Sequence, residues 1–79
     1  MTHEELVKDL VEVNAPRVFA VVQEEDGNPD AWVAAWGMAF FEHAEVVTVG
    51  GDFRMRLGDP EGAVAAFTGP QVGARLVWV

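Results

Sequence analysis

AWVAAWGMAFF, residues 31–41, is the stretch that decides the fold. Its Trp32, Trp36 and Phe40 recur every fourth residue, which fits one face of a helix and also one face of a strand. Bulky aromatic residues around a central Gly37 disfavour a helix, and the preceding Asp26-Gly27 is typical of a loop between antiparallel strands. We therefore predict a strand, and a helix that begins at Asn28-Pro29-Asp30 is the alternative.

A strand at 31–41 has one bulky and one small face, because successive side chains point to opposite sides. Strict alternation assigns these residues to the bulky face: Trp32, Ala34, Trp36, Met38 and Phe40. It assigns these to the small face: Ala31, Val33, Ala35, Gly37, Ala39 and Phe41. Small residues let a second layer come close, so the two faces are expected to meet different neighbours.

The first predicted helix covers residues 3–13. Thr2 and Glu5 have the spacing of a capping box, in which each side chain accepts a backbone N–H bond of the first turn. Asn14 can supply a left-handed stop and Pro16 prevents continuation. One apolar stripe is expected along the helix, with charged residues outside it; its members are Leu6, Val7, Leu10 and Val11.

Four further strands and one helix are predicted. RVFAVVQEE at 17–25 is apolar on both faces, which indicates a strand inside a sheet. Shorter strands are expected at 45–49, 53–57 and 74–79. In the second of these, Phe53, Met55 and Leu57 should point inward. A helix of about ten residues should begin at Asp59-Pro60-Glu61 and stop at Gly69-Pro70.

These elements together predict the fold class. We expect a single domain over residues 1–79 with a two-layer α+β fold. Its mostly antiparallel sheet has four or five strands, its helices are two and short, and the order is α-β-β-β-β-α-β.

Composition and charge limit the possible partners. The chain has 79 residues, 51% of them hydrophobic, so it is too apolar to stay disordered. Thirteen acids oppose five Lys and Arg residues, and the resulting net charge of -8 repels phosphates and anionic lipid. We expect neither direct nucleic-acid binding nor membrane association. With no cysteine and no basic, apolar leader, a cytoplasmic location is expected.

Few residues suggest chemistry. Serine and cysteine are both absent, and no phosphate-binding loop occurs, so we predict neither an enzyme nor a cofactor. His43, between Glu42 and Glu45, is a candidate base or metal ligand. No spacing forces His3 or Asp52 toward it, and we interpret it as a turn histidine without a metal.

Arg54 and Arg56 share one strand face and are candidates for contacting an anion. In so acidic a chain, the favoured alternative is that they pair with neighbouring acids on the sheet.

The aromatic residues give the leading functional hypothesis. Two helices of about ten residues can cover one face of such a sheet, and the strands are apolar on both. An uncovered apolar face usually marks a protein interface. We predict a non-catalytic interaction module that forms a homodimer or binds another protein. Its interface candidates are Trp32, Trp36, Phe40, Phe19 and Trp78.

Three alternatives stay open. The sheet could curl into a partial barrel that buries its own interior. A pocket between sheet and helices could bind a small ligand or substrate, with Trp32, Trp36 and the two arginines at its mouth. An acidic inhibitor or nucleic-acid mimic is suggested by the cluster of Glu24, Glu25, Asp26 and Asp30.

Overall fold

The computed structural model describes residues 1–27 and 29–79, so Asn28 in the predicted loop at 26–30 lies outside the described residues. Two helices and five strands follow in the predicted order. They are α1 (His3–Asn14), β1 (Arg17–Glu25), β2 (Ala31–Ala39), β3 (Ala44–Thr48), β4 (Arg54–Leu57), α2 (Gly62–Phe67) and β5 (Val72–Trp78). The α+β prediction is confirmed, and residues 31–39 form a strand.

One antiparallel sheet holds all five strands in the order β4-β3-β2-β1-β5. β1 to β4 form a meander, and the chain then passes from one edge of the sheet to the other, where β5 pairs with β1. In the described part of the chain, β4 and β5 are the two edge strands of this sheet. The sheet is therefore open, and the partial barrel considered above is not formed.

A β-bulge in β2 changes the expected faces. Val21 pairs with Ala35 but the next residue, Val22, pairs with Val33, so Ala34 is the extra residue. The bulge reverses the alternation beyond Ala34. The sequence-based assignment of Trp32 and Trp36 to one face was therefore wrong, because Trp32 lies opposite Gln23 and Trp36 opposite Ala20.

The core lies between α2 and one face of the sheet, here called the covered face. Phe19 and Val21 of β1 are its largest fully buried side chains, and the other members are small or partly exposed. Ala63 of α2 packs against them, and the Gln23 side chain donates to the Phe67 carbonyl at 2.7 Å. Gly37 lets the Phe19 ring lie directly on the β2 backbone, because a Cβ there would overlap the ring.

The helix α1 packs differently from α2. Its predicted capping box is present, with Thr2 Oγ1 accepting from the Glu5 N–H at 3.2 Å. None of its residues is buried, and the protein is elongated at 55 × 24 × 21 Å. Neither α1 nor α2 has the length and apolar content needed to cross a membrane.

Three local predictions were wrong. Asn14 remains helical and the helix ends at Ala15 with extended backbone, since Pro16 restricts the residue before it; no left-handed residue is used. Phe53 precedes β4 and is exposed rather than inward, because the strand pairing begins at Arg54. α2 has six residues instead of about ten.

Candidate association surface

The sheet face opposite α2, here called the open face, is apolar in the middle and charged at its sides. Strand pairing places these residues on it: Val18, Ala20 and Val22 of β1, Val33, Trp36 and Met38 of β2, Glu45 and Val47 of β3, Arg54 and Arg56 of β4, and Arg75 and Val77 of β5.

Large apolar side chains of the open face are accessible. Trp36 is 44% exposed and Met38 43%, and Val18, Val33 and Val77 are exposed to a similar degree. These residues are neighbours across β5, β1 and β2, so they form one continuous patch. A contiguous apolar patch of this kind is uncommon on a monomer and is a mark of association.

A depression of about 730 Å³ lies in the open face, between Trp36 and Arg54. Val18, Met38, Glu45 and Val47 complete its outer lining. It is wide and open to solvent, whereas sites for small ligands enclose most of the ligand surface. The depression therefore differs in shape from an enclosed small-ligand site.

Positive charge flanks the apolar patch on the β4 side. Arg56 pairs in register with Glu45, but the Glu45 carboxylate contacts His43 Nε2 at 3.2 Å. Within residues 1–27 and 29–79, the guanidinium group of neither Arg54 nor Arg56 makes a hydrogen bond or an ion pair. The favoured expectation that they pair with acids on the sheet is therefore not met. Arg75, at the other side, binds Glu24 at 2.8 Å.

The five aromatic interface candidates are divided between locations. Trp36 alone lies on the open face. Phe19 is fully buried in the core, so it cannot contact a partner. Trp32 and Trp78 lie on the covered face, where the Trp32 indole N–H donates to Gln23 Oε1 at 3.0 Å and Trp78 contacts Phe19. Phe40 follows β2 and stacks on His43 with ring centroids 4.8 Å apart.

Several residues of the surface were not among the sequence-based candidates: Val18, Val33, Met38 and Val77. A signal for them existed in the double-sided apolar pattern of β1, β2 and β5. The prediction favoured large aromatic residues, of which Phe19 is buried in the core and Trp78 lies against Phe19 on the covered face.

His43 lies in the connection between β2 and β3. Its Nε2 contacts Glu45, and among the described residues no group of three His, Asp or Glu side chains could hold a metal ion. In the acidic cluster, Glu24 is bound by Arg75, and the Asp26 N–H donates to the Gln71 carbonyl at 3.0 Å. The first contact joins β1 to β5, and the second joins the β1–β2 connection to the residue that precedes β5.

The molecule exposes more surface than a compact chain of its mass. A folded monomer of 8.6 kDa is expected to expose about 4,700 Å². This chain exposes 5739 Å², an excess of about 1,000 Å² over that scaling. The radius of gyration is 15.6 Å against roughly 12 Å for a compact domain of 79 residues. The chain therefore buries less of its surface than compact chains of its mass do.

Comparison with known proteins gives no assignment: no protein family, curated protein or solved structure matches the chain.

Proposed function

We propose that this protein is a small non-catalytic association module that forms a homodimer through its open face. The observation that carries the proposal is the continuous apolar patch around Trp36 and Met38, which no element of the described chain covers. Fully burying one such side chain contributes about 1.5–3 kcal/mol, so leaving the patch exposed forgoes much of the stabilisation available to a small domain.

The amount of excess surface supports a stable interface. A standard protein–protein interface removes about 800 Å² from each partner. The excess of roughly 1,000 Å² over the scaling for compact monomers is of that size. Burial of one such interface in a dimer would therefore bring the exposed surface area of each chain close to the value for a compact monomer.

The local charge beside the patch fits a partner surface that carries carboxylates. Arg54 and Arg56 lie beside the patch without ion pairs among the described residues, and a chain with 13 acids brings carboxylates to them. Symmetric dimers are also the commonest oligomers of soluble proteins. The lack of cysteine suits the reducing cytoplasm, where we place the module.

Sedimentation equilibrium of the whole chain tests this proposal. The expected mass at high micromolar concentration is twice the chain mass of 8.6 kDa. Trp36→Glu puts a charge in the patch centre and should raise the dissociation constant by a factor of ten or more, which is at least about 1.4 kcal/mol.

Phe41→Glu is the matched control, because Phe41 is an equally apolar, fully exposed aromatic in the β2–β3 turn, away from the open face. It should leave the dissociation constant within a factor of two or so of the wild type. A wild-type chain that sediments as a monomer at high micromolar concentration would overturn the proposal, as would equal effects of the two substitutions.

A further inference from the structure

A second unpartnered apolar surface lies on α1. Its stripe is exposed along the whole helix, with Leu10 at 63%, and the other members are Leu6, Val7 and Val11. The helix is well formed, with its capping box closed. A helix with one apolar stripe normally buries that stripe, so α1 lacks its packing partner in the single chain.

The hinge between α1 and β1 holds the helix away from its own sheet. It consists only of Ala15 and Pro16, and Ala15 is extended at φ -64° and ψ 131°. Proline fixes its own φ and disfavours a helical conformation of the residue before it, so this hinge is stiff. A short, stiff hinge favours the exchange of the element that it carries between two chains.

The open face and α1 agree in size. Twelve helical residues span about 18 Å. The apolar part of the open face extends over four adjacent strands, from Val77 of β5 to Val47 of β3, which is about 14 Å at ordinary strand spacing. One helix of this length laid across the strands is therefore long enough to cover the patch.

The charges of the two surfaces are opposite. α1 carries Glu4, Glu5, Asp9 and Glu12 against the single base Lys8. Arg54 and Arg56 flank the patch and are without ion pairs in the described chain. Acids beside the α1 stripe would reach the arginines as the stripe meets the patch.

We infer that the homodimer forms by reciprocal exchange of α1, with the helix of each chain packed on the open face of the other. This inference rests on the proposed function and identifies the segment of the second copy that occupies the open face. Each chain is then incomplete alone, because the layer that covers its second sheet face comes from the partner.

Cysteine cross-linking between different chains tests the exchange, and the native chain has no cysteine to interfere. One chain carries Leu10→Cys on the α1 stripe and the other carries Met38→Cys on the open face; both sites are exposed. The two are mixed, allowed to exchange subunits and treated with a short bismaleimide. We expect a covalent heterodimer of twice the chain mass.

Lys8→Cys, on the same helix but outside the stripe, is the matched control and should link to Met38→Cys at least ten times less. The exchange would be overturned if Leu10→Cys and Lys8→Cys linked equally well to Met38→Cys. It would also be overturned if the link formed only within one chain, in a Leu10→Cys/Met38→Cys double variant at high dilution. If wild type dimerises and Trp36→Glu abolishes it while no Leu10-to-Met38 link forms between chains, the exchange fails and the proposed function stands. If the wild-type chain is a monomer, both the exchange and the proposed function are contradicted.

Discussion

Gly37 is the residue on which the core packing depends most directly. The Phe19 ring occupies the space that a Cβ at Gly37 would take, and Phe19 is fully buried. We predict that Gly37→Ala lowers the free energy of unfolding by about 1–3 kcal/mol, the usual result of overpacking a filled core. Urea denaturation followed by tryptophan fluorescence measures the change.

Gly73→Ala is the control for that prediction. Gly73 also lies in a strand, but a Cβ there would meet no atom within 4 Å. The substitution should leave the stability unchanged or raise it by up to about 1 kcal/mol, because it restricts the unfolded chain. If the two variants unfold at the same urea concentration, the close packing of Phe19 on Gly37 is contradicted.

The sheet face on which Trp32 lies could not be predicted from its own strand alone. Alternation along 31–41 placed it beside Trp36, but the extra residue Ala34 moves it to the covered face. Gly37 and the small alanines indicated a close approach in the sequence, and that was correct for Phe19. The position of a bulge depends on pairing with β1, so it is a property of two strands that the 31–41 segment alone does not contain.

At the scale of elements, Gln23 joins β1, β2 and α2. Its amide donates to the Phe67 carbonyl at 2.7 Å, and its carbonyl accepts from the Trp32 indole at 3.0 Å. Gln23→Glu keeps an acceptor for Trp32 but has no N–H for Phe67. We predict a loss of about 1–2 kcal/mol in the free energy of unfolding, since the carbonyl at the end of α2 loses its donor and gains a nearby negative charge.

Gln71→Glu is the matched control for Gln23. It makes the same chemical change at an exposed residue whose side chain has no hydrogen bond within the described part of the chain. Its effect should stay within about 0.5 kcal/mol. Equal effects of the two substitutions would mean that Gln23 does not hold α2 on the sheet.

The helix α1 gives a prediction at the same scale. An isolated helix of 12 residues is marginal in water, so α1 needs the proposed packing in the dimer to be fully formed. We predict that the far-ultraviolet helical signal falls when the protein is diluted below its dissociation constant, and that Trp36→Glu shows the lower signal at every concentration. Helicity that is independent of concentration in both proteins would contradict this dependence.

The elements themselves were largely readable from sequence, because capping residues, prolines and β-branched runs are local signals. Thr2 and Glu5 marked the start of α1, and Pro16 marked its end. The sequence did not predict which surface α1 packs against. An apolar stripe requires a partner surface but carries no information on whether that surface belongs to the same chain. The expectation that two helices cover one sheet face was therefore wrong, since α1 buries no residue and α2 packs mainly on β1 and β5.

For the whole molecule, the proposed dimer couples thermal stability to concentration. Few large side chains are fully buried within one chain, so the interface should supply much of the stability of the folded state. Unfolding of a dimer of 79-residue chains absorbs about 110 kcal/mol, which makes Tm rise by roughly 4–5 °C for each tenfold increase in concentration. Scanning calorimetry over two decades of concentration measures the slope. Trp36→Glu should show a lower Tm and, at concentrations where it is monomeric, no slope. Phe41→Glu should reproduce the wild-type slope. A flat Tm in the wild type would mean that each chain is stable alone and that the open face contributes nothing to folding.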